Sequence, residues 1–374
     1  MIAAVLTAAG YRTGLYTSPH LINFEERIRI DGKPIPKKAV AELTSRLRRS
    51  IEKHPTTFFE ATTAIAFAYF AEEKTDIAII ETGLGGRLDS TNVLRPVVSV
   101  ITNITLEHTE ILGDSLEKIA FEKAGIIKEK TPCITGIRNN RALSVVKKVC
   151  SERHSPLVIG SNYKSIIRKA SLEGTLLDLK IAGTEYKRLW LSLPGFHQID
   201  NLGLALSTIK ELRGRAGIDI PEEAIRGGLG QVRELTGLAG RLSIVQDKPT
   251  VLADVAHNAD ATRNLLGSLK RLKLKKPIIV FGVVKDKDYV RMIHDLAQVA
   301  GEAIAVSARS SRSRSASDVA AAFEREGCRT RAALSVEEGV KVALHLAGKG
   351  GIILVTGSHY VVGEAMQALG RKRA

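Results

Sequence analysis

Ser18, Glu81 and His108 each stand where an apolar, strand-like run gives out: after Leu15-Tyr16-Thr17, after Ile77-Ala78-Ile79-Ile80, and shortly after Val97–Thr102. Open α/β sheets bind ligands at the carboxyl ends of their strands. A hydroxyl, a carboxylate and an imidazole converging on one rim could hold a divalent cation that bridges phosphates. Taken singly, Glu81 equally suits a local hydrogen-bond acceptor. It leads into Gly83-Leu84-Gly85-Gly86-Arg87-Leu88-Asp89. That segment is either an ordinary glycine-rich turn or a tight loop in which Arg87 meets a phosphate or carboxylate.

Lys123 carries a different signal. In Ser115–Ile127, helical spacing sets Leu116, Ile119, Ala120, Lys123 and Ile127 on one stripe. A buried ammonium is costly, so the pKa of such a lysine falls. The neutral amine can pair with a carboxylate, act as a base, or take up carbon dioxide as a carbamate. The same spacing also suits a lysine snorkelling from the stripe's edge. Further along, Asp254-Val255-Ala256-His257-Asn258, Gly282–Asp288 and Thr356-Gly357-Ser358-His359 are three polar loops that follow apolar runs. They mark a second ligand-binding rim.

The elements that must position these residues alternate between strand and helix, the pattern of an α/β parallel sheet. Strands are predicted at Gly14–Thr17, Ile77–Glu81, Val97–Thr102, Pro132–Thr135, Val251–Asp254, Pro277–Gly282, Ala303–Ser307 and Ile352–Thr356. Helices are predicted at Ile2–Ala9, Lys37–Lys53, Ala61–Glu73, Ser115–Lys128, Asn201–Leu212, Asp260–Leu272 and Ser317–Glu326. A β-like stretch, Leu157–Leu193, reads as an insertion in the first domain. The glycine-rich segment from Gly227 to Gly240 reads as the separator of two α/β halves. The domains are therefore expected at 1–240 and 241–374. Gly348-Lys349-Gly350-Gly351 resembles a phosphate loop but precedes a strand, and G-x-x-x-x-G-K-[ST] occurs nowhere in the 374 residues.

Composition limits the function classes. A chain of 374 residues with 44% hydrophobic and 25% charged residues is globular, and is long enough for two cores. No run approaches a membrane span, and Met1–Gly10 lacks the positive start and long apolar core of a signal peptide. Cys133, Cys150 and Cys328 form no metal or disulfide pattern, which fits a cytoplasmic protein. The net charge of +15 attracts anions without choosing among nucleic acid, lipid, nucleotide or acidic substrate. The densest basic stretch, Ser307–Ser315, contains no aromatic residue for base stacking and reads as a surface loop ending in a helix cap. Nucleic acid and membrane are not expected partners.

The order and wording of these segments resemble the folylpolyglutamate synthase/dihydrofolate synthase family of the Mur ligase superfamily. The matching segments begin with Leu15-Tyr16-Thr17-Ser18-Pro19-His20-Leu21, Asn23–Arg29, Phe59–Thr63 and Glu81–Asn92. They continue with Leu106-Glu107-His108, Glu122–Ile126, Phe196–Asn201, Gly240-Arg241-Leu242, Asp254–Asn258 and Phe281–Tyr289. The resemblance implies a P-loop NTPase-like central domain followed by a smaller Rossmann-like domain. It implies an ATP-dependent amide ligase that adds L-glutamate to a folate or pteroate carboxylate through an acyl phosphate. Ser18, Glu81 and His108 would hold Mg2+, and Lys123 would be carbamylated. Catalysis would rest on Lys123, His108 and Glu81. Gln198, Asn201, Arg241, Asp254, His257 and Asn258 would bind ATP, while Pro19, His20, Arg27, Arg87 and Asp89 would bind substrate. The enzyme is expected to be a monomer. The family's phosphate loop, of the form Gly-Thr-Asn-Gly-Lys-Gly-Ser, would stand immediately before Met1. The expectation is a chain recorded without roughly 50 amino-terminal residues, counted as the strand, loop and half-helix that open a doubly wound unit. The alternative is an inactive homologue that binds nucleotide or a partner.

Overall fold

The structure, a computed structural model, describes residues 1–274 and 276–370. The first half holds two separate parallel-strand systems. One sheet runs in the order Lys33–Pro34, Ile28–Ile30, Thr13–Tyr16, Ile77–Ile80. Its last two strands are parallel and in register from Thr13↔Ile77 to Tyr16↔Ile80. The other sheet is Ser99–Ile101, Cys133–Thr135, Leu157–Ile159, all parallel. Between the facing edges Ile77–Ile80 and Ser99–Ile101 lies a cleft of about 830 Å³, which Lys123 and Glu81 also line.

Local chemistry sets several boundaries. The helix predicted from Ala61 starts earlier, at Phe58. Thr57 caps it, with its hydroxyl accepting from the Glu60 N–H at 3.2 Å, and the Glu60 carboxylate accepts the Thr57 N–H at 2.7 Å. The helix predicted over Ser115–Lys128 spans only Leu116–Ala124. The stretch Leu157–Leu193 is not one insertion. Leu157–Ile159 completes the second parallel sheet, and only Tyr163–Ala170, Thr175–Ile181 and Thr184–Leu191 form an antiparallel meander. The glycine-rich segment is not a plain separator either, because Glu222–Gly230 and Val232–Thr236 are helices. Gly228 lets the first of these close onto the helix Ile2–Ala8, since a Cβ there would lie 2.5 Å from the Val5 Cα. Ala4, Val5 and Leu6 are buried in the same core as Leu177, Leu189, Leu206 and Leu229.

The second half is a six-stranded sheet in the order Ser243–Gln246, Thr250–Ala253, Ile352–Thr356, Ile278–Phe281, Glu302–Ala305, Thr330–Ala332. The first strand is antiparallel to its neighbour, and the others pair in parallel. Strand alternation divides the core in two. Ile279 and Phe281 face one cluster with Leu265, Met292 and Phe323, while Val280 faces another with Val340, Val355 and Val362. Ser307–Ser315 ends as expected in a cap, with the Ser315 hydroxyl accepting from the Asp318 N–H at 3.1 Å. No described helix is long and apolar enough to cross a membrane.

Candidate functional site

Ser18 and Glu81 meet at the ends of the paired strands Thr13–Tyr16 and Ile77–Ile80. The Ser18 backbone N–H donates to Glu81 Oε2 at 2.7 Å, just before a cis Ser18–Pro19 bond. Burial raises the Glu81 pKa, and the nearby Arg241 and Arg27 only partly offset it. Once deprotonated, a carboxylate here, with a serine hydroxyl on the neighbouring strand end, offers oxygen ligands of the kind a hard cation takes. Among the described residues no three His, Cys, Asp or Glu side chains converge as a metal cage, and no hydrogen bond joins His108 to Ser18 or Glu81. The backbone of His108 is left-handed, with φ 54°, and caps the short helix Thr109–Leu112. Burial, foremost, lowers its pKa, and the surrounding charges are those of Glu107, Lys287, His257 and Lys123.

Lys123 is half-buried at the end of its stripe, where Ile119, Ala120 and Ile127 are fully buried. Burial lowers its pKa and the Glu107 carboxylate acts against that shift. A lysine biased toward the neutral amine beside a cleft fits carbamate formation.

The glycine loop has internal partners for both of its charged residues. Arg87 donates to Glu122, with Nη2 at 3.0 Å and Nε at 3.1 Å, so the carboxylate it meets belongs to the protein. Asp89 accepts from the Gly83 and Leu84 N–H groups at 3.0 and 2.9 Å and from the Thr91 hydroxyl at 2.6 Å. It shapes the loop beside Glu81. Arg27 and His20 form a second pair, the Arg27 Nε donating to His20 Nδ1 at 2.9 Å. The Arg27 guanidinium stacks over Phe58, 5.4 Å from the ring centre, and Phe58 is 62% exposed. Phe24 meets the Phe58 ring edge-on at 6.0 Å. Pro19 lies beside this group and lines a smaller interdomain pocket of about 240 Å³.

The nucleotide candidates come together from both halves. Gln198 and Asn201 sit on the helix His197–Arg215, with Asn201 Nδ2 donating to Gln198 Oε1 at 3.0 Å and Gln198 Nε2 3.0 Å from His197 Nε2. The buried His197 Nδ1 has no hydrogen-bond partner. Burial, with help from Arg241, drops the His197 pKa to about 4. Asp254 is buried and accepts from the Leu242 and Ala256 N–H groups, both at 2.9 Å. It thereby ties Arg241, exposed at the linker, to the loop that carries His257 and Asn258. The His257 ring lies 5.2 Å from His359, whose pKa burial lowers to about 3, reinforced by the charges of His257 and Arg241. The Arg241 guanidinium and the orphaned buried nitrogen of His197 fit the phosphates and polar groups of a nucleotide.

Sequence reasoning did not single out Glu26, Phe58, Glu122 or His359 as site residues. The Glu26 carboxylate accepts three successive N–H groups, Leu21, Ile22 and Asn23, at 2.9, 3.1 and 2.9 Å, and so builds the turn that presents His20. His359 had a signal, the strand-end loop Thr356–His359; Glu122 had none, being 35 residues from Arg87.

Residues 30–209 match the Mur ligase middle domain, and residues 240–359 match the glutamate ligase domain of Mur ligases. The fold is that of a Mur ligase. The dihydrofolate synthase/folylpolyglutamate synthase of Bacillus subtilis is 34% identical over 98% of this chain and 86% of its own length. The Escherichia coli protein of the same description is 30% identical over 100% and 84%. A Mycobacterium tuberculosis folylpolyglutamate synthase solved with ADP and AMPPCP has TM-score 0.90 and 31% identity, covering 100% of this chain and 88% of that one. E. coli FolC in complex with DHPP and ADP has TM-score 0.87 and 29% identity, covering 100% and 85%. The chain belongs to the folylpolyglutamate synthase/dihydrofolate synthase family.

Proposed function

We propose that this protein is an ATP-dependent ligase that joins the amino group of L-glutamate to a carboxylate of a folate or pteroate. The observation that carries the reading is the convergence, across one interdomain rim, of Glu81, the half-buried Lys123 and the nucleotide set Gln198, Asn201, Arg241 and His257–Asn258. Relatives solved with ADP and with DHPP support it.

The substrate carboxylate attacks the γ-phosphorus of ATP and ADP leaves, giving an acyl phosphate. The glutamate amine then attacks the acyl carbon, losing a proton as phosphate departs. Magnesium, with Ser18, Glu81 and His108 as its ligands, would supply neutralisation of phosphate charge during transfer. Arg241 holds the nucleotide's negative charge from the linker. Gln198 and Asn201, locked to each other, offer polar groups from the first half. Phe58 presents an open aromatic face for a flat ring, and Arg27, braced by His20, faces an anionic group beside it. The Asp89-clamped loop keeps Glu81 oriented. Carbamylation turns Lys123 from a neutral amine into an anion by adding carbon dioxide and releasing a proton. Closure of the two halves excludes water, which would otherwise hydrolyse the acyl phosphate.

In the ligase-active protein, Glu81→Ala should cut ligation by more than about tenfold, a barrier rise above roughly 1.4 kcal/mol. A variant that keeps more than about a tenth of turnover contradicts the assignment.

A further inference from the structure

The two halves touch at several points, among them Leu172 against the second-half core and the Arg271 guanidinium over the Phe196 ring at 4.1 Å; two further contacts differ in their chemistry. Near the linker the contact is apolar: Leu21 packs on the second-half core, within reach of Gly240 and Gly363. On the other side it is ionic and converges on one atom. Glu107 Oε1, in the loop leading to His108, lies 3.2 Å from Asn258 Nδ2, 3.4 Å from His257 Nε2 and 3.6 Å from Lys287 Nζ. Asn258 and Lys287 donate to it, and all three groups belong to the second half.

Each of these groups is held in place by its own element. Asn258 caps the helix Ala259–Arg271, its Oδ1 accepting from the Ala261 N–H at 2.8 Å, which turns its amide nitrogen toward Glu107. His257 is fixed by a 2.9 Å contact between Nδ1 and the Val255 carbonyl. The Lys287 side chain is only 14% exposed and rests near Asp286, which Arg312 binds at 3.2 Å. The three groups are thus preassembled on one body, and Glu107 is their shared partner on the other. Glu107 and His257 remain about 30% exposed, at 28% and 31%, so water and salt reach the contact. Such a contact releases without exposing apolar surface, unlike the one at Leu21.

We propose that Glu107 is a positioning residue, the acceptor of a reversible electrostatic latch that holds the two halves closed. Closing the latch draws the loop of His108 toward the second half. Its neighbour Lys123 feels the same carboxylate. The proposal rests on the ligase reading only for its effect on turnover; the latch itself is read without substrate.

The test is single-molecule energy transfer between dyes on Cys328, half-exposed in the second half, and on an introduced Lys147→Cys, exposed in the first; Cys133 and Cys150 are buried. Glu107→Gln and Lys287→Met, made singly and together, should each raise the open-to-closed ratio by at least about twofold, with the double variant no worse than the stronger single one. Raising salt from about 0.01 M to about 1 M, which shortens the Debye length from roughly 30 to roughly 3 Å, should open the parent and leave Glu107→Gln unmoved. Distributions that superimpose for parent and Glu107→Gln at both salt levels overturn the latch, and so do additive effects of the two substitutions. A thermal melt of each variant confirms that folded protein is being compared. Loss of ligation with intact latch behaviour would count against the ligase reading alone.

Discussion

Glu81, His197 and His359 show one physical rule from opposite sides: burial raises the carboxylate and depresses the imidazoles. The two histidines have a consequence for stability. Unfolded, each takes up a proton near the ordinary value of 6.5; folded, His197 waits until about 4 and His359 until about 3. The unfolded state therefore binds more protons between those values, and stability falls as pH drops below 6.5. From pH 7 to 5 the unfolding free energy should decline by a few kcal/mol, with a shallower slope in His197→Asn/His359→Asn. Urea titrations across that range check it, and a parent slope no steeper than the double variant's contradicts it. Lys123 yields a second test at this scale. Under 13C-bicarbonate, the parent should show a carbamate carbon signal that Lys123→Arg lacks, because arginine stays protonated. A signal equal in both places the carbamate elsewhere.

Helix packing makes the two neighbouring glycines Gly227 and Gly228 behave in opposite ways. A Cβ at Gly228 meets the Val5 backbone at 2.5 Å, whereas one at Gly227 meets nothing within 4 Å. Gly228→Ala should cost about 1–3 kcal/mol through overpacking. Gly227→Ala should gain about 0.5–1 kcal/mol from helix propensity. Urea midpoints at unchanged m-value decide it, and equal effects at both positions would refute the packing account. The same segment shows where sequence reasoning stops. Five glycines between Gly227 and Gly240 look like a linker, because propensity cannot register a helix that needs glycine for close approach. Elements with strong periodic pattern were legible: Lys37–Lys53 and Ile352–Thr356 match their predicted spans. Ile28–Ile30 was not, since three residues carry too little alternation and the strand exists through pairing with Thr13–Tyr16. The site divides similarly. Ser18 and Glu81 were legible because strand ends recur in sequence. The Glu122 partner of Arg87 and the cluster of Asn258, His257 and Lys287 around Glu107 arise only from folding.

Across the whole molecule, the proposed nucleotide rim and the proposed latch join the same two halves. Arg241 is felt at Glu81, Asp254, His197 and His359, on both sides of the linker. A nucleotide bound there should stabilise the folded protein as a whole. ADP at about 100 times its Kd should add roughly 2.7 kcal/mol, and Arg241→Ala should lose most of that gain at the same concentration. An undiminished shift in Arg241→Ala, read by thermal melts with ADP, would remove that residue from the nucleotide site. The central claim, glutamate ligation, is tested most directly by the product. The protein isolated from its own cells is incubated with ATP, magnesium, L-glutamate and either dihydropteroate or a reduced folate, and the pterin is weighed by mass spectrometry. The account predicts a pterin heavier by one glutamyl residue, formed with one ADP per amide bond and only when all components are present. An unchanged pterin mass, from protein that still binds ADP, would contradict it and leave a nucleotide-binding homologue without ligase activity.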